Sequence, residues 1–253
     1  PASVDGNVYH HMLEGIVGFD SASKLYSQLI GNIMIDAASA TKYWYFIRLM
    51  GRDPSHLVLE CALQTHPNMV LISEGILNQE KSLQDVVNDI ADLIVSRADH
   101  GKNFGTILIP EGLLVHLPRI KSLIEELNKL FTNLDKKETT EIGTKFVHDS
   151  EFVKTKLSAW SAAVFNGLPE LIRKQLVTER ETHGTLQLSQ IETEKLLAIL
   201  VEEELKIRKE QKKYKGSFAP VTHFFGYQGR CAFPSKFDCD LAATYGFLSG
   251  VLV

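Results

Sequence analysis

The sequence is poor in cysteine and has neither a long apolar run nor an excess of basic residues. Its three cysteines, Cys61, Cys231 and Cys239, are odd in number and lack CxxC or Cys/His spacing, which argues against a disulfide framework and a structural zinc site. Lys and Arg total 27 against 31 Asp and Glu, so the net charge of −4 does not indicate a nucleic-acid surface. Apolar runs such as 248–253 fall far short of the roughly 20 residues that span a bilayer. We predict neither a nucleic-acid nor a membrane partner.

The composition is that of a globular protein. The chain has 253 residues, of which 44% are apolar and 23% are charged, enough to bury a core of its own. Residues 1–9 lack the basic and apolar regions of a signal peptide, and the sequence does not begin with Met. We therefore expect a part of a longer polypeptide, and the unpaired cysteines predict a reducing, cytoplasmic location.

Short apolar runs alternate with longer segments of helical periodicity. Helices are expected from Phe19 to about Ala40, from Ser82 to Gly101 and from Pro118 onward. Strands are expected at 43–50, 69–72, 106–109 and 221–227. This alternation predicts an α/β fold with a parallel sheet flanked by helices, in which ligands bind at the carboxyl ends of the strands.

Polar residues mark two of the expected helix starts. Asp20 and Ser21 are good caps for the first helix. Ser189 and Glu192 have the spacing of a capping box, which predicts that a long helix begins there and ends before Gly216.

The chain between the third and fourth predicted strands differs in character from the rest. From about residue 132 to 156 the sequence is polar and loses its periodicity. We expect residues 132–217 to form a loop and a mostly helical insertion, and residues 1–131 and 218–253 to form the α/β region.

Three predicted turns, at 50–52, 110–112 and 227–230, follow strands and combine glycine with charge. Arg52 and Arg230 could each form a forked pair with a phosphate, and Glu111 could accept hydrogen bonds from sugar hydroxyls. Asp53 and Pro54 predict that a helix begins there, whose N–H groups would face the same phosphate. A single arginine after a glycine more often belongs to a solvated turn than to a binding site. A binding site is therefore expected only if the three turns come together in space.

Several longer segments of the sequence are similar to those of a known family. They occur in the order and spacing of the phosphofructokinase family, over nearly all of the chain: GFDSASKLYSQLIGN, KYWYFIRLMGR, HPN, LIPEG and HFFGYQGR. The sequence resembles in particular the long, pyrophosphate-dependent branch. The segments LSQIETEKLL, YKG and PSKFDCD resemble the alpha subunit of the plant-type enzyme more than the beta subunit.

This resemblance implies a phosphofructokinase-like fold and a glycolytic reaction, the transfer of a phosphoryl group to the 1-hydroxyl of fructose 6-phosphate. It implies that Lys42 and Tyr43 reach the sugar phosphate bound by a neighbouring subunit, in a homo- or hetero-oligomer. The residues implied to hold fructose 6-phosphate within the chain are Ser3, Val4, Met50, Gly51, Arg52, Glu111, Tyr227, Gln228, Gly229 and Arg230.

The family's catalytic motif, Pro-Lys-Thr-Ile-Asp-Gly/Asn-Asp, corresponds to PASVDGN at residues 1–7. The resemblance implies that Asp5 is the general base, which takes the proton of the sugar's 1-hydroxyl as its oxygen attacks the donor. Ala2 replaces the lysine associated with pyrophosphate, and Asn7 replaces a second acidic residue. Ala2 also differs from the glycine usual in ATP-dependent relatives, so pyrophosphate and ATP both stay open as donors.

The family's phosphoryl-donor loop has no counterpart here, since no G-x-G-x-x-G motif occurs in the sequence. We predict no metal site in this chain, and the resemblance implies that the complete enzyme uses Mg²⁺ bound by ligands outside it. An alternative interpretation is a regulatory, catalytically weakened alpha-type subunit that binds sugar phosphate beside an active partner. A third is that the same surface serves only assembly.

Overall fold

A parallel sheet forms the centre of the computed structural model, which describes residues 2–8, 10–11, 13–51, 54–132, 156–180 and 185–252. The sheet order is β2-β3-β1-β4, and Trp44 in β1 pairs with Gly105 in β3 and with Pro220 in β4. The strands are β1 (Trp44–Leu49), β2 (Met69–Val70), β3 (Gly105–Pro110) and β4 (Pro220–Phe225). The predicted α/β class with a parallel sheet is confirmed.

Helices connect these strands and cover both faces of the sheet. None of the helices in the described ranges is long and apolar enough to cross a membrane. In chain order they are α1 (Phe19–Ala40), α2 (His56–Thr65), α3 (Ser73–Asn78), α4 (Leu83–Asp99), α5 (Leu113–His116), α6 (Pro118–Thr132), α7 (Ala159–Asn166), α8 (Glu170–Thr178), α9 (Thr193–Glu210) and α10 (Lys236–Leu252).

Alternate residues of β1 face two separate hydrophobic cores. Tyr45, Ile47 and Leu49 pack with residues of α1 and α2. Trp44 and Phe46, on the other face, pack with residues of α4, α6 and α9. Every residue of β1 is buried, as expected for a parallel strand whose two faces are both covered by helices.

Helix α9 comes from the predicted insertion and packs directly on the sheet. Its buried residues Leu196, Leu197 and Val201 belong to the same core as Phe46 of β1. The division into residues 1–131 with 218–253 and an insertion at 132–217 stays a prediction, and residues 133–155 and 181–184 lie outside the described ranges.

The first helix spans the predicted residues, but its predicted caps are wrong. Gly18 is the residue at the N-cap, and Asp20 and Ser21 lie inside the first turn. The carboxylate of Asp238, in α10, accepts hydrogen bonds from the backbone N–H groups of Gly18 at 3.0 Å and Ser21 at 2.8 Å. A buried carboxylate more than 200 residues away therefore does what a local cap was expected to do.

The second helix begins later than predicted. It starts at His56 rather than at Pro54, with Ser55 at the N-cap. Both backbone and side chain of Ser55 are engaged, because its N–H donates to Glu74 Oε1 at 2.8 Å and its Oγ accepts from the Ser73 N–H at 2.9 Å. These bonds fix the chain where it enters the helix.

The predicted capping box before α9 is also wrong. Ser189 lies in a 3₁₀ turn, Leu188–Gln190, and the helix begins at Thr193. The Glu192 carboxylate accepts a hydrogen bond from Gln175 Nε2 at 2.9 Å, so it is not directed back to the backbone of Ser189. The tertiary bond between Gln175 and Glu192 thus takes the place of the predicted local bond between Glu192 and the Ser189 backbone.

Candidate functional site

A cleft of about 670 Å³ lies at the carboxyl ends of the strands. Met50 directly follows β1, Glu111 directly follows β3 and Tyr227 lies two residues after β4, so the sheet brings the three together. The residues that line the cleft are Ala2, Ser3, Val4, Asp5, Asn7, Val17, Met50, Glu111, Gln187, Ser189, Tyr227 and Arg230.

The segment that carries Asp5 is held by a short set of hydrogen bonds. The Ser3 backbone N–H donates to the Val17 carbonyl at 2.9 Å. The Ser3 hydroxyl donates to Asn7 Oδ1 at 2.5 Å and accepts from the Asp5 N–H at 3.2 Å. Asp5 is thereby positioned in the wall of the cleft and is half-buried.

The turns after β1 and β3 are bonded to each other. The Gly51 N–H donates to Glu111 Oε2 at 3.1 Å, and the Glu111 N–H donates to the Leu49 carbonyl at 3.2 Å. Gly51 has φ of +148°, a conformation in which a side chain would be strained. The buried Glu111 carboxylate is therefore fixed beside the end of β1. Arg52, the next residue, lies outside the described ranges.

The turn after β4 is built around Tyr26 of α1. The Tyr26 hydroxyl donates to the Gly226 carbonyl, and a Cβ atom added at Gly229 would overlap that hydroxyl. Burial raises the pKa of Tyr26, so the phenol stays a neutral donor. The Gln228 side chain accepts from the Gly226 N–H at 2.9 Å. Gln228 and Gly229 thus shape the turn and do not line the cleft.

Arg230 brings positive charge to a cleft that otherwise carries carboxylates. Its guanidinium carbon lies 4.8 Å from the ring centroid of Tyr227, and both side chains are exposed on the cleft wall. Asp5 and Glu111 line the same space. A guanidinium can bind a phosphate, while carboxylates can accept protons or hydrogen bonds from hydroxyls. The cleft therefore has chemistry for both parts of a sugar phosphate.

Two predicted residues lie at the other end of the sheet. Lys42 and Tyr43 precede β1, so the six residues of the strand, about 20 Å at the usual rise per residue, separate them from Met50. Lys42 Nζ lies 4.9 Å from the centroid of the Tyr43 ring. They do not line the cleft, and their action on a neighbouring subunit's substrate stays a prediction.

Sequence reasoning missed Gln187 and Ser189 as cleft residues, and it missed a buried ion pair behind them. Arg48 Nε lies 2.5 Å from Glu194 Oε2, and the two residues are only 2% and 4% exposed. Arg48 Nη1 also donates to the Ser189 carbonyl at 3.2 Å. The lone arginine in an apolar strand is a usable signal for a buried acidic partner, whereas the sequence around Ser189 indicates only a helix cap and Gln187 carries no signal.

The described residues do not fit a dedicated metal site. Nowhere in these ranges do three His, Cys, Asp or Glu side chains come close enough to share one ion. Carboxylates usually bind Mg²⁺ together with substrate phosphates, but the pair Asp5 and Glu111 alone does not make such a site.

The fold and the cleft define a parallel α/β protein with a polar site at its strand ends, and comparison with known proteins identifies the family. Residues 1–148 match the family described as Phosphofructokinase. The chain belongs to the phosphofructokinase family.

Curated relatives match over all or nearly all of the chain. It is 45% identical over 254 residues to the pyrophosphate–fructose 6-phosphate 1-phosphotransferase of Treponema pallidum (strain Nichols), covering 100% of this chain and 44% of the relative. It is 44% identical over 253 residues to the pyrophosphate–fructose 6-phosphate 1-phosphotransferase subunit beta 1 of Arabidopsis thaliana, covering 100% of this chain and 43% of the relative. Against subunit alpha 2 of the same plant the identity is 45% over 247 residues, covering 97% and 38%. The chain spans less than half the length of these relatives.

Proposed function

We propose that this chain is the sugar-phosphate-binding part of a phosphotransferase that moves a phosphoryl group from pyrophosphate to the 1-hydroxyl of fructose 6-phosphate. One observation carries the proposal. Asp5, Glu111 and Arg230, far apart in the sequence, line one cleft at the carboxyl ends of the sheet. The substrates are those in the names of the relatives.

Each group in the cleft has a role in this proposal. Arg230 binds the 6-phosphate, and Glu111 accepts a hydrogen bond from a sugar hydroxyl. Asp5 takes the proton of the 1-hydroxyl as that oxygen attacks the donor, a transfer that needs mainly positioning because its transition state is loose. Ser3, Val4, Met50 and Gly51 shape the site around the sugar.

Other parts of the reaction lie outside the described cleft. We propose that the complete enzyme binds pyrophosphate and Mg²⁺ through residues other than those described, so no step above depends on the metal. Lys42 and Tyr43, at the amino end of β1, are proposed to complete the site of a neighbouring subunit. A cytoplasmic location is proposed from the free cysteines, of which Cys231 and Cys239 are exposed.

Replacement of Arg230 tests the site directly. We expect Arg230→Ala to weaken binding of fructose 6-phosphate by about 1.5–3 kcal/mol, the contribution of a hydrogen bond to a charged group. Calorimetric titration of the full-length polypeptide measures the effect. Arg119→Ala, which removes an exposed arginine stacked on Trp160 rather than in the cleft, is the control and should bind as wild type does. Unchanged affinity in Arg230→Ala would remove Arg230 from the site, and an interface used only for assembly would not bind the sugar at all.

A second candidate function is a regulatory, catalytically weakened subunit. It is favoured by Ala2 and Asn7, which line the cleft where the family motif has a lysine and an acid. Loss of one such electrostatic group typically costs about 10²–10³-fold in rate. The subunit would then bind sugar phosphate and act through an active partner.

The double variant Ala2→Lys with Asn7→Asp distinguishes the two candidates. If the chain is part of an active enzyme, we expect wild-type turnover to equal or exceed that of the double variant. A gain of about 10-fold or more would instead favour the weakened subunit, because it would restore a missing charge. Turnover of the full-length polypeptide with fructose 6-phosphate and pyrophosphate is the measurement. Ala2→Gln with Asn7→Asp supplies a long neutral side chain and controls for size.

A further inference from the structure

One part of the cleft wall comes from the segment between α8 and α9, to which neither the motifs nor the resemblance gives a role in ligand binding. Gln187 and Ser189 of this segment line the cleft together with Asp5, Glu111 and Arg230. The segment lies in the predicted insertion, so the α/β region and the predicted insertion both contribute residues to the same cleft.

The side chains of Gln187 and Ser189 are available to a ligand. Both residues are half-buried. In the ranges that the structure describes, neither the Gln187 amide nor the Ser189 hydroxyl makes a hydrogen bond to protein, although the backbone groups around them do. Each side chain can both donate and accept a hydrogen bond, so each can bind a hydroxyl group of a ligand in the cleft.

The backbone of this segment is fixed from two sides. The Gln187 N–H donates to the Glu179 carbonyl at 3.0 Å, and the Gln190 N–H donates to the Gln187 carbonyl at 3.0 Å. The Ser189 carbonyl accepts from Arg48 Nη1 at 3.2 Å, and Arg48 is itself held by Glu194. A ligand that binds here therefore meets side chains on a backbone that is already ordered.

The charges around the cleft distinguish between the ligand groups. A phosphate is best placed near Arg230, the charged donor, and away from the Asp5 and Glu111 carboxylates. Gln187 and Ser189 are neutral and offer both donors and acceptors, which suits hydroxyl groups. The neutral pair thus matches the sugar rather than its phosphate.

We propose that Gln187 and Ser189 form a subsite for the hydroxyl groups of the sugar phosphate, opposite in chemistry to the charged site at Arg230. This inference rests on the proposed function, because it deepens the assignment of the same cleft. It adds two specificity-determining residues from the predicted insertion.

The test compares Gln187→Ala and Ser189→Ala with wild type in the full-length polypeptide. We expect each change to raise the Kd for fructose 6-phosphate about 3- to 10-fold, the effect of one lost neutral hydrogen bond, and to leave the Kd for pyrophosphate unchanged. Calorimetry measures both constants. Gln190→Ala is the matched control, because Gln190 is exposed, lies in the same turn and does not line the cleft.

Analogues of the sugar make the test sharper. In a series of monodeoxy hexose 6-phosphates, the one that lacks the contacted hydroxyl should bind equally to wild type and variant. An unchanged Kd for fructose 6-phosphate in both variants would overturn the subsite, as would a rise confined to pyrophosphate. If Arg230→Ala still weakens sugar binding in that case, only the subsite fails. If the wild-type polypeptide does not bind fructose 6-phosphate at all, the proposed function fails with it.

Discussion

Asp5→Asn is expected to lower kcat for phosphoryl transfer about 10²–10⁴-fold, the range for loss of a general base. The amide is nearly the same size as the carboxylate but cannot take the proton of the attacking hydroxyl. The Asp5 backbone N–H donates to the Ser3 hydroxyl, and the substitution leaves this bond in place, so the segment should keep its geometry. The Kd for fructose 6-phosphate should therefore change only a few-fold.

Steady-state turnover of the full-length polypeptide gives kcat, and calorimetry gives the Kd. Asp240→Asn makes the same chemical change at an exposed carboxylate of α10 that pairs with Lys236, and it should leave both constants at the wild-type values. A kcat within about threefold of wild type in Asp5→Asn would show that another group accepts the proton. A large loss of sugar affinity with little loss of kcat would make Asp5 a binding residue rather than the base.

Regular periodicity was enough to predict the main elements of the fold. Helix α1 spans the predicted residues Phe19–Ala40, and α6 begins at Pro118 as expected. Both bury a stripe of apolar residues in a hydrophobic core that includes strand residues, so the local pattern and the tertiary contact agree. By contrast, no helix is predicted from the sequence at α10, which the structure shows with Phe247 and Val251 exposed.

Helix starts and cleft residues were harder to predict because distant contacts decide them. The cap of α1 is Asp238, and the Glu192 carboxylate accepts a hydrogen bond from Gln175. The rule that parallel strands end at one edge predicted that the turns at Glu111 and Arg230 would meet. No local rule predicts that Gln187 lies in the same cleft, since its position depends on how the predicted insertion packs on the sheet.

Arg48→Met is expected to lower the free energy of unfolding by about 3–5 kcal/mol, the cost of leaving a buried charge without its partner. Glu194 is almost fully buried beside Arg48. Burial raises the pKa of Glu194 although Arg48 acts to lower it, so the loss of hydration is the larger effect. Chemical denaturation of wild type and variant measures the difference.

The double variant Arg48→Met with Glu194→Leu removes both members of the ion pair, whereas Arg48→Met alone leaves Glu194 buried without its partner. Because neither charge of this pair remains, the double variant should unfold within about 1 kcal/mol of wild type or be more stable. Lys206→Ala removes an ion pair between exposed side chains of the same helix, Lys206 and Glu202, and should not move the unfolding midpoint. If the double variant were as unstable as Arg48→Met, the pair itself would hold α9 to the sheet. Since Arg48 also binds the Ser189 carbonyl, a stable double variant with weakened sugar binding would show that the pair serves the cleft more than the fold.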